Sequence, residues 1–332
     1  MCLAFHLQDI MRHDISRARL GVTNSITASV LFGVTYYYVT LLAPLSGEQI
    51  YGWRVLMTLP FVTLLLLVFG EAKLIAGIWQ RLVSNPAWLI ALIASAALLS
   101  VQLWLFMWAP VNGHGLSVSL GYFLLPLTLV LTGRLVFGER LTTLQVVACT
   151  VAALGVLNEL LFAPVLSWPT FVVAFGYPVY FATRKKMGTN HLGGMWFDMV
   201  LSLPVAVWFV CAPAMDGDAI FPSAMHAAMI VGLGLLSATS LACMVTASHQ
   251  LKLGLFGLLS YLEPALLVVV SLLLGERVDP AQWPTYLCIW AAILILIAEG
   301  VRGLLRKPDH AAGKKKRIGG RVEMEAQPES SC

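Results

Sequence analysis

Two stretches of the chain end in the same way, LGYFLLPLTLVLTGRLVFGER (120–140) and LLSYLEPALLVVVSLLLGER (258–277). Each contains a tyrosine, then a proline three or four residues later, and then an apolar run that closes with Gly-Glu-Arg. The closing glutamates, Glu139 and Glu276, are 137 residues apart in a chain of 332 residues. A repeat at this distance predicts that the chain consists of two related halves, provided that other positions agree.

The composition is that of a membrane protein. Hydrophobic residues make up 59% of the sequence and charged residues 11%, with a mean hydropathy of +0.82. A soluble domain carries about 25% charged residues, so this chain lacks the polar surface that water requires. The six cysteines are scattered without a CxxC pair or neighbouring histidines, so neither a disulfide framework, a metal site nor a bound cofactor is indicated.

Apolar runs of membrane-spanning length cover most of the chain. A bilayer core of roughly 30 Å needs about 20 helical residues. This measure predicts an all-α polytopic protein with ten transmembrane helices at 21–42, 50–69, 87–109, 115–137, 142–162, 168–183, 192–212, 225–247, 253–274 and 283–303. An N-terminal segment, 1–20, precedes them, and a basic tail, 304–332, follows them; the tail is polar and is predicted to be disordered.

The distribution of basic residues predicts the orientation. Lysine and arginine are concentrated in cytoplasmic segments of membrane proteins. With ten spans and the N-terminus inside, the cytoplasmic segments collect Lys73, Arg81, Arg140, Arg184, Lys185, Lys186, Lys252 and the tail. Both termini are therefore predicted to be cytoplasmic.

The predicted spans place the two Gly-Glu-Arg stretches on opposite sides of the membrane. The first Gly-Glu-Arg follows the fourth span and the second follows the ninth, so five spans separate equivalent positions. An odd number of spans inverts the second unit, which predicts two inverted five-helix repeats, 21–162 and 168–303. Inverted repeats are typical of alternating-access transporters, in which the substrate site lies between the halves.

Two charged residues occupy corresponding positions of these halves. RVLMTLP (54–60) in the second span matches DMVLSLP (198–204) in the seventh, since each has a charge six residues before a proline. A charge in the membrane costs about 2.5–3.5 kcal/mol on insertion scales and usually faces the bundle interior. Arg54 and Asp198 are therefore candidate pathway residues at opposite ends of one route; the alternative is a snorkelling arginine and an interfacial aspartate.

The ninth span contains the deepest carboxylate, Glu263, directly before Pro264. A proline frees a backbone carbonyl and bends the helix, and a carboxylate beside it could bind a proton or a cationic group. The alternative is a carboxyl group satisfied by a neighbouring helix. The corresponding stripe of the fourth span carries Tyr122 and Pro126, and Tyr261 precedes Glu263. Both tyrosines are candidates for a central cavity, both prolines are candidate helix breaks, and both stripes are also packing surfaces.

One further polar residue, Gln102, lies in the third span, deeper than an interfacial position. It indicates a polar cavity. The neighbouring Trp104 and Trp108 are explained by an interfacial aromatic belt.

The chain resembles a known family in four stretches. LFMWAPVNGHGLSVSLGYFLLPL (105–127), YFATRKK (180–186), DMVLSLPVA (198–206) and QLKLGLFGLLSYLEPAL (250–266) are similar to the RarD subfamily, named for chloramphenicol sensitivity, within the EamA-type drug/metabolite transporters. The resemblance covers about 17–303, and Asp198 departs from it where a glutamate is expected. It implies a carrier in the bacterial inner membrane that exports small metabolites or drugs and is coupled to a proton gradient or to exchange.

The function predicted from the sequence is therefore secondary transport of a small molecule, without catalytic residues. No nucleotide-binding loop or nucleic-acid motif is present in the sequence, and the partners expected are the substrate and the lipid bilayer. A passive channel or membrane sensor is the first alternative, and a membrane-embedded enzyme, which would need clustered acid–base or metal ligands, is the second. The sequence leaves open whether the chain acts alone or as a homodimer.

Overall fold

The computed structural model describes residues 2–111, 115–162, 168–215, 223–273 and 280–305. In these ranges the chain is helical throughout, with short connections. The α-helices are α1 (Cys2–Thr40), α2 (Gly47–Val68), α3 (Lys73–Ser84), α4 (Ala87–Val111), α5 (Gly115–Phe137), α6 (Thr143–Phe162), α7 (Trp168–Met187), α8 (Leu192–Met215), α9 (Ala224–Gln250), α10 (Leu253–Leu259), α11 (Leu262–Leu273) and α12 (Trp283–Leu305). Glu276, Arg277 and the tail from 306 onward lie outside the described residues.

Every span predicted from the sequence falls on a helix, with three differences in detail. Helix α1 begins at Cys2, well before the predicted start of the first span at 21. Helix α3 was not predicted, because its twelve residues are too few to cross a bilayer; it buries Ile78 and leaves its charged positions outside. The ninth span is divided into α10 and α11.

The break in the ninth span follows from Pro264. A proline has no N–H, so the carbonyl of Ser260 loses its normal helical donor four residues later. The N–H of Glu263 donates to that carbonyl instead, at 3.2 Å, in a tightened turn. Pro126 was also expected to break its helix, and this expectation is wrong. Helix α5 runs through Pro126 without interruption because α7 and α10 pack along it, and neighbouring helices support a proline of this kind.

Five of the described helices are long and apolar enough to cross a bilayer, namely α2, α4, α6, α8 and α9. Large apolar side chains such as Leu67, Ile90 and Leu135 are exposed on the outside of the bundle. Since an exposed apolar surface of this extent is compatible with lipid and not with water, the protein is a helical membrane protein.

The bundle is held together by pairs of helices from the two parts of the chain. Helix α1 packs along α9, α2 along α8 and α9, α5 along α7 and α10, and α6 along α12. Small residues permit the closest approaches. A Cβ added to Gly257 of α10 would lie 2.6 Å from Cβ of Leu129 in α5, and one added to Gly234 of α9 would meet Met57 of α2.

Candidate functional site

A buried arginine lies at the centre of the candidate site. Arg54, the eighth residue of α2, is 1% exposed. Its Nε donates a hydrogen bond to Oγ of Ser237 in α9, at 2.9 Å, while Nη1 and Nη2 have no hydrogen-bond partner. The ring of Phe106 lies 5.8 Å from Cζ and covers one side of the guanidinium group. Two nitrogens of a buried cation are thus available to a ligand.

Glu263 supplies the opposite charge. It is the second residue of α11, just after the interruption between α10 and α11. Its carboxylate interacts electrostatically with Arg54, although no Arg54 nitrogen lies within the 4.0 Å of an ion pair. Glu263 also borders a small cavity of about 20 Å³, together with Ser25, Ser29, Tyr177 and Ser260. This space is sufficient for about one water molecule.

Two tyrosines lie near the opposite charges. Tyr122 of α5 and Tyr177 of α7 interact electrostatically with both Arg54 and Glu263, and their ring centroids lie 6.3 Å apart. Their rings belong to a continuous series: Phe106 lies edge-on to Tyr122 at 5.9 Å, and Tyr177 stacks on Phe181 at 6.2 Å. The structure therefore brings Arg54, Glu263 and Tyr122 together, with an aromatic wall beside them.

Asp198 belongs to a second and separate charged group. Its carboxylate is fully buried, pairs with Arg184 of α7 and accepts a hydrogen bond from the Tyr180 hydroxyl at 3.0 Å. Arg184 is itself 1% exposed. Its Nη1 donates to Thr189 at 3.1 Å and its Nη2 to the carbonyl of Gly194 at 2.6 Å. These contacts fasten the end of α7 to the beginning of α8.

The burial of Arg184 was not predicted from the sequence. The positive-inside pattern counts Arg184 among the cations of the cytoplasmic segments and does not indicate that its side chain is buried in the bundle. Its neighbours Lys185 and Lys186 are in contact with the surface, so the run of basic residues concealed one buried member. An aspartate in a neighbouring apolar run was the available signal, because a buried carboxylate requires a partner.

The other two candidates, Gln102 and Tyr261, lie apart from Arg54. Nε2 of Gln102 donates to the carbonyl of Val172 in α7 at 2.8 Å, so this amide links α4 to α7. Tyr261 is fully buried in an apolar cluster that includes Val130 of α5 and Ile289 of α12. Neither side chain is among the groups that interact with Arg54. Tyr177 and Ser237, which do contact the central group, carried no sequence signal, since single tyrosines and serines are common in apolar helices.

Glu139 of the repeated Gly-Glu-Arg lies where two parts of the chain meet. Its carboxylate accepts hydrogen bonds from the N–H groups of Leu253 and Gly254, both at 2.8 Å, and pairs with Lys185 at 3.0 Å. Partial burial raises the pKa of Glu139, but the two backbone donors and Lys185 outweigh it and hold the pKa below its ordinary value of 4.5. The carboxylate therefore joins the end of α5 to α7 and α10.

A cavity of about 750 Å³ opens at this end of the bundle. We call it the vestibule. It is lined by the connections after α2, α5, α7 and α9, including Glu71, Glu139, His191, His249 and Lys252. Burial, together with the charges of His249, Arg184 and Arg81, lowers the pKa of His191 to about 4, so its ring is neutral at physiological pH.

The charged groups of the described residues can bind a ligand by charge and hydrogen bonds. No group of three or more histidine, cysteine or acidic side chains in these residues is arranged to hold a metal ion. Arg54 can receive an anionic group and Glu263 a proton or a cation.

Comparison with known proteins gives close relatives over nearly their whole length. An uncharacterised transporter of Pasteurella multocida (strain Pm70) is 40% identical over 86% of this chain and 98% of its own. The chloramphenicol-sensitive protein RarD of Pseudomonas aeruginosa is 42% identical over 86% of this chain and 96% of its own, and protein RarD of Escherichia coli K12 is 26% identical over 87% and 97%. No family model matches the sequence. A protein of known crystal structure, 14% identical, has the same fold with a TM-score of 0.61 over 83% of this chain and 98% of its own.

Proposed function

Because the chain belongs to the RarD family of bacterial membrane transporters, we propose that it is a secondary active transporter that exports a small molecule by alternating access in exchange for protons. The observation that carries the proposal is the convergence of Arg54 and Glu263. They come from different halves of the chain and interact electrostatically, and the buried guanidinium group of Arg54 leaves Nη1 and Nη2 without a hydrogen-bond partner. Buried charges without full compensation are costly, so they are expected where a ligand completes them.

The packing pattern supports the two inverted halves. In the proposed repeat, α1, α2, α4, α5 and α6 correspond to α7, α8, α9, α10–α11 and α12. The contacts of α1 with α9 then correspond to those of α7 with α4, and the contacts of α2 with α9 to those of α8 with α4. Helix pairs α2–α8, α5–α10 and α6–α12 each join equivalent members. A two-fold exchange of helices therefore maps these contacts onto one another, as alternating access between two halves requires.

We place the vestibule and both termini on the cytoplasmic side of the inner membrane. The connections after α2, α5, α7 and α9, together with the helix ends beside them, carry Lys73, Arg140, Lys185, Lys186 and Lys252. Excess lysine and arginine mark cytoplasmic segments. A vestibule of about 750 Å³ at this end is large enough to admit a small metabolite from the cytoplasm.

Glu263 is the proposed proton-coupling group. The titratable and charged groups that interact with it are Arg54, Tyr122 and Tyr177. Since no cation among the described residues is in ion-pair contact with its carboxylate, Glu263 can hold either a proton or a cationic part of the substrate. A carboxylate that holds one or the other, but not both, exchanges an entering proton for a departing substrate.

Asp198 has a different role in this proposal. Because Arg184 and Tyr180 already occupy its carboxylate, Asp198 fixes α8 against α7 on the cytoplasmic side of the site. Gln102 likewise holds α4 to α7, and Tyr261 packs the junction of α10 and α11 against α6 and α12.

Two measurements in sequence test the proposed function. Culture media of cells with and without the protein are first compared for exported metabolites and drugs. The purified protein is then reconstituted into proteoliposomes and the exported compound is added outside them. An imposed pH gradient is expected to drive accumulation of the compound inside the vesicles. Glu263→Gln should lose the response to the gradient, because the amide cannot take up a proton, while Glu48→Gln, in the first turn of α2, should keep it.

The outcomes distinguish the mechanism from its alternatives. Equilibration of the compound without any response to the pH gradient, in wild type and Glu263→Gln alike, would identify a passive facilitator and refute the coupling. Exported compounds that are the same with and without the protein would refute export.

A further inference from the structure

A second space lies beside the vestibule, where α5 ends and α6 begins. It has a volume of about 500 Å³, and we call it the arginine cleft. It is lined by Arg134, Gly138, Glu139, Arg140, Leu141 and Val146. Three of these residues, 139–141, also line the vestibule, so the two spaces share a wall. The proposed transport mechanism gives no role to either arginine of the cleft.

The end of α5 brings the two arginines to one place. Gly138 has a φ of +62°, and its N–H donates to the carbonyl of Arg134 at 3.1 Å. This is the left-handed glycine turn that ends many helices. Because the chain turns there, Arg140 in the connection to α6 lines the same cleft as Arg134 in the last turn of α5.

The cleft offers two positive charges to a ligand. Arg134 and Arg140 are exposed, and within the described ranges neither forms an ion pair or a side-chain hydrogen bond. Glu139, the acidic member of the described lining, accepts two backbone N–H groups and pairs with Lys185 at 3.0 Å. Since Lys185 compensates Glu139, the charges of the two arginines are left to attract an anion.

The surface that continues from the cleft is apolar. Leu131 and Leu135, one helical turn apart on α5, are 52% and 73% exposed. Val146 and Leu154 of the adjacent α6 are exposed as well. These side chains belong to the apolar surface on which the bundle meets lipid. An occupant from the membrane can therefore contact the arginines with its headgroup and this surface with its chains, whereas a free phosphate would contact the arginines alone.

We propose that the arginine cleft binds an anionic phospholipid, with the lipid phosphate on Arg134 and Arg140 and the acyl chains along the exposed faces of α5 and α6. Guanidinium groups bind phosphate through paired, charge-assisted N–H donors. Basic pockets between membrane helices are typical sites for anionic headgroups. A bound lipid also holds the segment that carries Glu139, so it should stabilise the contacts of α5 with α7 and α10.

Titrations of the wild-type protein in detergent test the lipid assignment. The probes are dioleoylphosphatidylglycerol, dioleoylphosphatidylcholine, which has the same chains without a net charge, and glycerol 3-phosphate, which has the phosphate without chains. Native mass spectrometry measures the ratio of lipid-bound to lipid-free protein, and the unfolding temperature measures stabilisation. Phosphatidylglycerol should bind about tenfold more tightly than phosphatidylcholine and raise the unfolding temperature. Glycerol 3-phosphate at the same concentration should not raise it.

Paired variants locate the lipid at the cleft. Arg134→Gln/Arg140→Gln should weaken the binding of phosphatidylglycerol about thirtyfold, because two contacts with the headgroup are lost. The control Lys73→Gln/Lys186→Gln removes the same charge from exposed positions outside the cleft and should weaken binding less than about threefold. Arg134→Lys/Arg140→Lys keeps both charges, so it serves if the glutamine variant does not fold, and it should still prefer phosphatidylglycerol to phosphatidylcholine.

Three results would overturn the proposal. Wild-type protein could bind the two phospholipids equally well, which would exclude recognition of the headgroup charge. The arginine and lysine pairs could weaken binding equally, which would indicate a diffuse attraction without a site. Glycerol 3-phosphate could stabilise the protein as much as phosphatidylglycerol does, which would identify a site for a soluble anion. None of these readouts depends on transport, so the lipid site and the proposed transport function stand or fail separately.

Discussion

Replacing Asp198 with asparagine tests the buried ion pair between α7 and α8. The carboxylate of Asp198 is fully buried, and its partner Arg184 is 1% exposed. Asparagine has the same size and can still accept the hydrogen bond from Tyr180, but it removes the charge that compensates Arg184. Breaking a buried pair by removing one partner costs about 3–5 kcal/mol, because the other charge stays buried and uncompensated.

Thermal unfolding of the purified protein in detergent measures this cost. Stability changes shift the unfolding temperature of large domains by about 2–4 °C per kcal/mol, so Asp198→Asn should lower it on the order of 10 °C. Arg184→Gln should lower it comparably. The double variant should lose less than the sum of the two, since neither charge then remains alone.

Lys186→Gln is the matched control. Lys186 is exposed on the same helix as Arg184, so its replacement should shift the unfolding temperature by no more than about 2 °C. The reasoning is refuted if Asp198→Asn costs no more than Lys186→Gln, or if the two single effects add up to that of the double variant.

Two further predictions concern the vestibule and are measured by unfolding temperature against pH. Glu139→Gln should destabilise the protein at neutral pH by about 1–2 kcal/mol, because two backbone hydrogen bonds and one ion pair lose their charge. The pKa of Glu139 is lowered in the folded state, so the contribution of Glu139 to stability is present above the ordinary value of 4.5 and is lost as the pH falls through the lower folded value. The unfolding temperatures of Glu139→Gln and wild type should therefore converge in acid. A constant separation between the two curves would contradict this account. His191 has its pKa lowered from 6.5 to about 4, so the unfolded state binds the proton first and the folded state loses stability as the pH falls from 6.5 to about 4. His191→Gln should flatten this part of the curve, and parallel curves would show that His191 does not titrate in this way.

The helices were predictable from the sequence because apolar length decides them. A run of about 20 apolar residues in a chain with few charges has few alternatives to a membrane-spanning helix. Helix α3 was not predicted, because span length alone does not distinguish an amphipathic helix of twelve residues from a loop. Helix α5 continues through Pro126, whereas the ninth span breaks before Pro264. The packing of neighbouring helices determines whether a helix continues at a proline, and a single sequence does not reveal this packing.

The site was predictable in part. Arg54 and Glu263 stood out as candidates because charges in apolar runs are costly and therefore rare; their role in transport remains a prediction. Tyr177 and Ser237 were not, since their residue types are ordinary in such helices and only the fold brings them to Arg54. The burial of Arg184 was concealed by the two lysines that follow it, one half-buried and one exposed, because it depends on Asp198 across the turn between α7 and α8.

The relation between Arg54 and Asp198 is the most informative outcome of the repeat. The two residues occupy corresponding positions of α2 and α8, and in a symmetric structure they would be satisfied in corresponding ways. They are not: Asp198 is paired with Arg184 on the preceding helix of its own half, whereas Arg54 reaches across to Ser237 of the other half and keeps two nitrogens unpaired. In the proposed mechanism a symmetric framework exchanges between two orientations, but a substrate is itself asymmetric and has to be held by groups that differ between the proposed halves. The position at which the repeat departs from its own symmetry is therefore the place where the substrate is expected to bind.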